Sequence, residues 1–123
     1  MKIIKAKDDK FNRKILEQKK ADILLSPEKE SGKDKIKKLD SGLNHILAKI
    51  ATKNKTAIGI DLKEIKKLSK IQKAVRLSKI IQNIKTCRKA KTRLAIKGNK
   101  IESQNFLLSL GASTLQVKGA IYF

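Results

Sequence analysis

The chain has 123 residues, enough for one domain and too few for two comfortable ones. Its composition is 40% hydrophobic and only 3% aromatic, so an aliphatic core of Ile and Leu is expected, and a disordered basic tail is excluded. Lys plus Arg number 31 against 11 Asp plus Glu, a net charge of +20. That surplus repels itself unless a polyanion relieves it.

In chain order, the apolar run Lys2–Ala6 reads as a strand. Asp8 and Asp9 then open a helix whose face is Phe11, Ile15 and Leu16. Asp22-Ile23-Leu24-Leu25 is a second strand, stopped by Ser26-Pro27. Residues 28–40 read as a charged loop with one buried anchor at most, Ile36 or Leu39. Ser41 is placed as the cap of an amphipathic helix with Leu43, Ile46, Leu47, Ile50 and Ala51 as its stripe, ending at Asn54.

Thr56–Ile60 is a strand covered on both faces, and Asp61 caps a short helix. A long helix from about Lys70 to Lys91 is expected to bury Ala74, Leu77, Ile81, Ile84 and Cys87. Leu94–Ile96 is a fourth strand, and Gly98-Asn99 a turn. Ser103 is then placed as the cap of a helix ending at Gly111. Ser113 or Thr114 opens a last short helix through Tyr122, with a strand there as the alternative. Strand and helix alternate four times with one spare helix, which implies a parallel sheet. A closed eight-stranded barrel takes about 250 residues, so a half barrel or a small open sheet is expected.

Chemistry-bearing constellations are few. Cys87 is the single cysteine, which excludes an intrachain disulfide and a cysteine metal cluster and suits a reducing compartment. His45 is the single histidine. It reads as a metal ligand or base, as a helix-surface histidine, or as an RNA contact. No metal and no cofactor is assigned. Asp8, Asp9 and Asp61 are better read as helix caps than as catalytic acids. Neither a phosphate-binding glycine loop nor a nucleophile elbow is present. The start lacks a signal-peptide core, and no run of about 18 apolar residues exists, so a cytoplasmic protein is expected.

The informative stretch is residues 63–100, with 14 Lys and Arg and the single acid Glu64. A solvated helix face ordinarily mixes signs for i,i+4 pairing, and this one hardly does. Phosphate contact is the reading preferred over solvation. The absence of aromatic residues in the stretch points to backbone and shape recognition rather than base stacking. Lys79, Lys85, Arg88, Lys89, Arg93 and Lys97, with His45, are the candidate RNA-binding residues. An alternative origin of the charge is the Lys- and Ile-rich bias of an AT-rich genome.

Ser41–Lys53, S-G-L-N-H-I-L-A-K-I-A-T-K, resembles the signature of ribonuclease P protein component 3, the archaeal counterpart of the thirty-kilodalton eukaryotic subunit. Asp22–Pro27, Ala57–Leu62, Gln82–Lys89 and Ser103–Gly111 resemble further stretches of that family in the same order, so the likeness covers about residues 3–122. Asn44 stands where Asp is common, and Gln104-Asn105 replaces a Pro-x-Asp. The family's first strands and helices have no counterpart here.

The resemblance implies a partial (β/α) barrel of the polymerase-and-histidinol-phosphatase type without its metal histidines. It implies a subunit that supports the catalytic RNA in removing the 5′ leader from precursor tRNA. The partners it implies are ribonuclease P RNA, precursor tRNA and other protein subunits, especially protein component 2. The rival readings are an unrelated RNA-binding or ribosomal protein, a metal-dependent phosphoesterase, and a structural α/β protein whose charge is host bias.

Overall fold

The computed structural model describes residues 1–29 and 41–123. Five strands, β1 (Ile3–Lys5), β2 (Ile23–Leu25), β3 (Ala57–Asp61), β4 (Leu94–Lys97) and β5 (Ile121–Tyr122), form one parallel sheet in the order β1-β2-β3-β4-β5. Between them lie α1 (Asp9–Glu17), α2 (His45–Lys53), α3 (Leu62–Lys66), α4 (Lys70–Ala90), α5 (Lys100–Ser109) and α6 (Thr114–Gly119). Each strand pairs with the next in sequence. With right-handed crossovers this winding keeps the helices on one face, unlike doubly wound sheets, whose strand order reverses. Among the described residues the sheet stays open, with β1 and β5 as its edges.

Side chains alternate between the two faces of the sheet. Leu24, Ile58, Ile60, Leu94 and Ile96 join the main core with Leu16, Leu47, Ile65, Ile80, Ile84 and Leu107 from the helices. Ile23, Ala57 and Ala95 form a smaller cluster with Ile121 and Phe123. The residues of that smaller cluster's strands are small where neighbours lean over them: a Cβ on Gly59 would lie 2.7 Å from Ile23 Cγ2.

Several expectations change. Among the described residues there are five strands and not four, because the chain after α6 adds Ile121–Tyr122 beside β4. The cap of α2 is Asn44, whose side chain accepts from Leu47 N–H; Ser41 instead donates to the Leu43 carbonyl at 3.1 Å. The cap of α5 is Asn99, and Ser103 sits inside that helix, buried. Asp8 and Asp61 do cap α1 and α3. The expectation for Ile36 and Leu39 lies outside the described residues.

The face expected of the long helix holds in part: Ile84 and Cys87 are buried and Leu77 and Ile81 half-buried. Arg76, Lys79, Ile80, Asn83, Ile84 and Cys87 are its buried residues, whereas Ala74 is exposed. The buried stripe carries polar groups because distant parts of the chain satisfy them. Asn83 donates to the Ser41 carbonyl at 3.1 Å, and Arg76 meets two carboxylates. Thr52 and Thr92 join α2 to the end of α4, sharing a 2.7 Å hydrogen bond, with Thr52 also donating to the Ala90 carbonyl.

Candidate nucleic-acid interface

Two of the basic residues in the 63–100 stretch, Arg76 and Lys66, are held in ion pairs before they meet any ligand. Arg76 donates to Glu28 Oε1 at 3.0 Å and to Glu64 Oε1 at 3.1 Å, and Lys29 pairs with Glu64 at 3.0 Å. Burial pushes the Glu28 carboxyl above the usual carboxylate range, against the pull of Arg76. Glu64 lies below that range: its desolvation is outweighed by hydrogen bonds and charge from Lys29 and Arg76. Lys66 pairs with Glu102 on the surface. Lys79 is only 9% exposed, so it leaves the set of accessible candidates. The helix turns it inward with Arg76 and Asn83.

The remaining candidates do not form one cluster. Lys85, Arg88 and Lys89 are exposed on the second half of α4, and Arg93 follows just before β4. Arg88 donates to the Gly111 carbonyl at 3.2 Å, and Arg93 donates to the Gly119 carbonyl. These contacts tie the loops around α6 to the end of α4, and Gln116 adds a bond to the Ile84 carbonyl at 3.0 Å. A cleft of about 580 Å³ opens there, floored by Cys87 and Leu94 and edged by Arg88, Lys91, Arg93 and Leu115. Lys97 ends β4, so it stands at the opposite end of the sheet, in register with Asp61. His45 is exposed at the first turn of α2.

Other chemistry is sparse. Among the described residues, no group of three His, Cys, Asp or Glu could hold a metal ion. Cys87 is buried and its thiol is pushed up to about 12 by desolvation, so it stays protonated and a poor nucleophile at neutral pH. No described helix is long and apolar enough to cross a membrane. What the arrangement can do is present fixed positive charge. Residues outside the 63–100 stretch share in it, notably Lys19 and Lys55. With Lys91 they have a positive φ at a helix end. The readable signal was a lysine at a helix stop just before a strand, where glycine or asparagine is usual.

No protein-family model matches the sequence. Ribonuclease P protein component 3 of Methanococcus maripaludis is 30% identical to the chain over 94 residues, which are 76% of this chain and 38% of that protein. The protein of the same name from Methanococcus vannielii is 30% identical over 96 residues, 78% of this chain and 38% of its own length. The chain thus spans under two fifths of the curated relatives it matches. In structure it is similar to a chain of the cryo-EM structure of archaeal ribonuclease P with mature tRNA. The TM-score is 0.76 at 25% identity, over 95% of this chain and 51% of that one.

Proposed function

We propose that this chain is a ribonuclease P protein subunit of the component 3 kind, which supports the catalytic RNA in trimming the 5′ leader of precursor tRNA. One observation carries this reading. Most of the chain is similar in sequence to ribonuclease P protein component 3, and nearly all of it is similar in structure to a chain of an archaeal ribonuclease P. In this reading the body is a single domain, about half of a β/α barrel of the polymerase-and-histidinol-phosphatase type. The sequential strand order supports it.

The chain's own role is electrostatic. Folding a long RNA brings phosphates together, and each cation that meets one releases condensed counterions. A surface with +20 net charge stabilises that compact state without touching the scissile bond. Lys85, Arg88, Lys89 and Arg93 are the accessible residues assigned to phosphate contact from the sequence. His45, at the start of α2, and Lys97, at the end of β4, stand apart from these. The partners are ribonuclease P RNA, precursor tRNA and other protein subunits, protein component 2 first among them. The setting is the cytoplasm, and the equivalence to the thirty-kilodalton eukaryotic subunit belongs to the same proposal.

The test is to recover tagged chain from its own cells and sequence the RNA that comes with it. Enrichment of ribonuclease P RNA is expected. Enrichment of ribosomal RNA alone would favour an unrelated ribosomal or RNA-binding protein and overturn the proposal.

A further inference from the structure

Because all five strands are parallel, every helix-to-strand loop emerges at one end of the sheet and every strand-to-helix loop at the other. The acids are divided unequally between these ends. Asp8, Asp9, Glu28, Asp61, Glu64 and Glu102 follow strands. At the helix-to-strand end the described acids are Glu17 and Asp22, and both are engaged internally. Glu17 pairs with Arg13 at 2.7 Å, and Asp22 accepts from the Lys2 backbone N–H at 2.7 Å. The bases in the segments leading into the strands at this end, Lys2, Lys19, Lys20, Lys55, Lys91, Arg93 and Lys118, are all exposed. None of them joins an ion pair among the described residues.

The backbone singles out three of these. Lys19, Lys55 and Lys91 have φ of 52°, 58° and 60° at the ends of α1, α2 and α4. A side chain in this region crowds the following carbonyl, so helices usually stop there with glycine. Attraction to the helix dipole does not account for the choice, because the last turns already carry Lys14, Lys53, Arg88 and Lys89. The fourth non-glycine residue with positive φ, Ser26, is at the opposite end. The three loops enter β2, β3 and β4, which are adjacent, so the lysines lie on neighbouring loops at one end of the sheet.

We propose that this helix-to-strand end, centred on Lys19, Lys55 and Lys91, is the face laid against the phosphates of folded RNA. The proposal deepens the ribonuclease P reading and rests on it. Lysines on separate loops act as point charges, which suits a phosphate backbone; planar carboxylates are better matched by arginine forks. These loops hold no aromatic residue to stack a base. The face lies opposite the end where β/α barrels place catalytic residues.

The test is the triple variant Lys19→Gly, Lys55→Gly, Lys91→Gly, against a charge-matched control, Lys10→Ala, Lys63→Ala, Lys67→Ala, at the other end. The probes are a transcript of ribonuclease P RNA, an unrelated structured transcript, and polyglutamate. The glycine triple is expected to keep its melting temperature and to flatten the salt slope of binding by about 2 to 3. Affinity at moderate salt should fall roughly tenfold or more, with the control near wild type. If the glycine triple melts early, an asparagine triple, which also tolerates this backbone region, carries the same expectation.

An unchanged slope, or equal losses in both triples, overturns the proposal. So does loss of polyglutamate binding alone, which would assign the face to an acidic protein. Wild-type binding without preference for ribonuclease P RNA overturns the functional reading but leaves the face standing. Binding to neither transcript overturns both.

Discussion

Replacing Arg76 by alanine tests the energetic role of the buried ion pair most sharply. Its side chain is 11% exposed and that of Glu28 1% exposed, so the variant takes the Arg76 cation away from a buried carboxylate. Breaking such a pair costs about 3–5 kcal/mol. Unfolding entropy is roughly 2.1 cal/mol/K per residue, so 123 residues give about 0.26 kcal/mol/K. The melting temperature should therefore drop by roughly 12–19 °C at neutral pH. Circular dichroism melts and urea titrations read the effect. The double variant Arg76→Met, Glu28→Gln removes both charges, and most of the loss should return, because neutral groups of similar size fill the site without a stranded charge. A drop of less than about 3 °C for the single variant, or a double variant no more stable than the single, would refute the reasoning.

Three further outcomes follow from the same structure. Glu64→Gln should be less stable than wild type at pH 7. The gap should close as pH falls below the ordinary 4.5 and through the lowered folded value, because a depressed carboxylate contributes stability only while ionised; urea midpoints at pH 7 and pH 3 check this. Cys87, with its thiol pushed up to about 12, should resist iodoacetamide at pH 8 in the folded chain and react on unfolding, as read by mass spectrometry. Gly42→Ala should cost about 3 kcal/mol or more, since φ is +76° and the new Cβ would lie 1.9 Å from the Pro27 carbonyl oxygen; chemical denaturation measures it.

The legible parts of the fold are those where local chemistry and burial agree. Asp8 and Asp61 precede apolar periodicity, and both cap helices as expected. Ala57–Ile60 is apolar without a break and becomes a central strand buried on both faces. Caps go astray where two good capping residues stand within a turn or so of each other, as Ser41 does with Asn44 and Ser103 with Asn99, since residue type alone does not separate them. The face of α4 was legible only in part, at Ile84 and Cys87, because its buried stripe also includes Arg76 and Asn83. Their partners, Glu28 and the Ser41 carbonyl, are distant in sequence. β5 has two residues, too few to show alternation.

The candidate interface was legible as charge but not as a place. Residues 63–100 stand out by composition, yet they divide between both ends of the sheet, with Arg88, Lys89 and Arg93 at one and Lys97 at the other. Only the strand order sorts loops by end. Once that order is known, Lys19 and Lys55, far from the dense stretch, fall beside Lys91.

Reconstituted cleavage of precursor tRNA is the most direct measurement. Ribonuclease P RNA with the other protein subunits, with and without this chain, should trim the 5′ leader faster when the chain is present, and the chain should co-migrate with the particle. A cleavage rate unchanged by the chain, with the chain left out of the assembled particle, would contradict a ribonuclease P role.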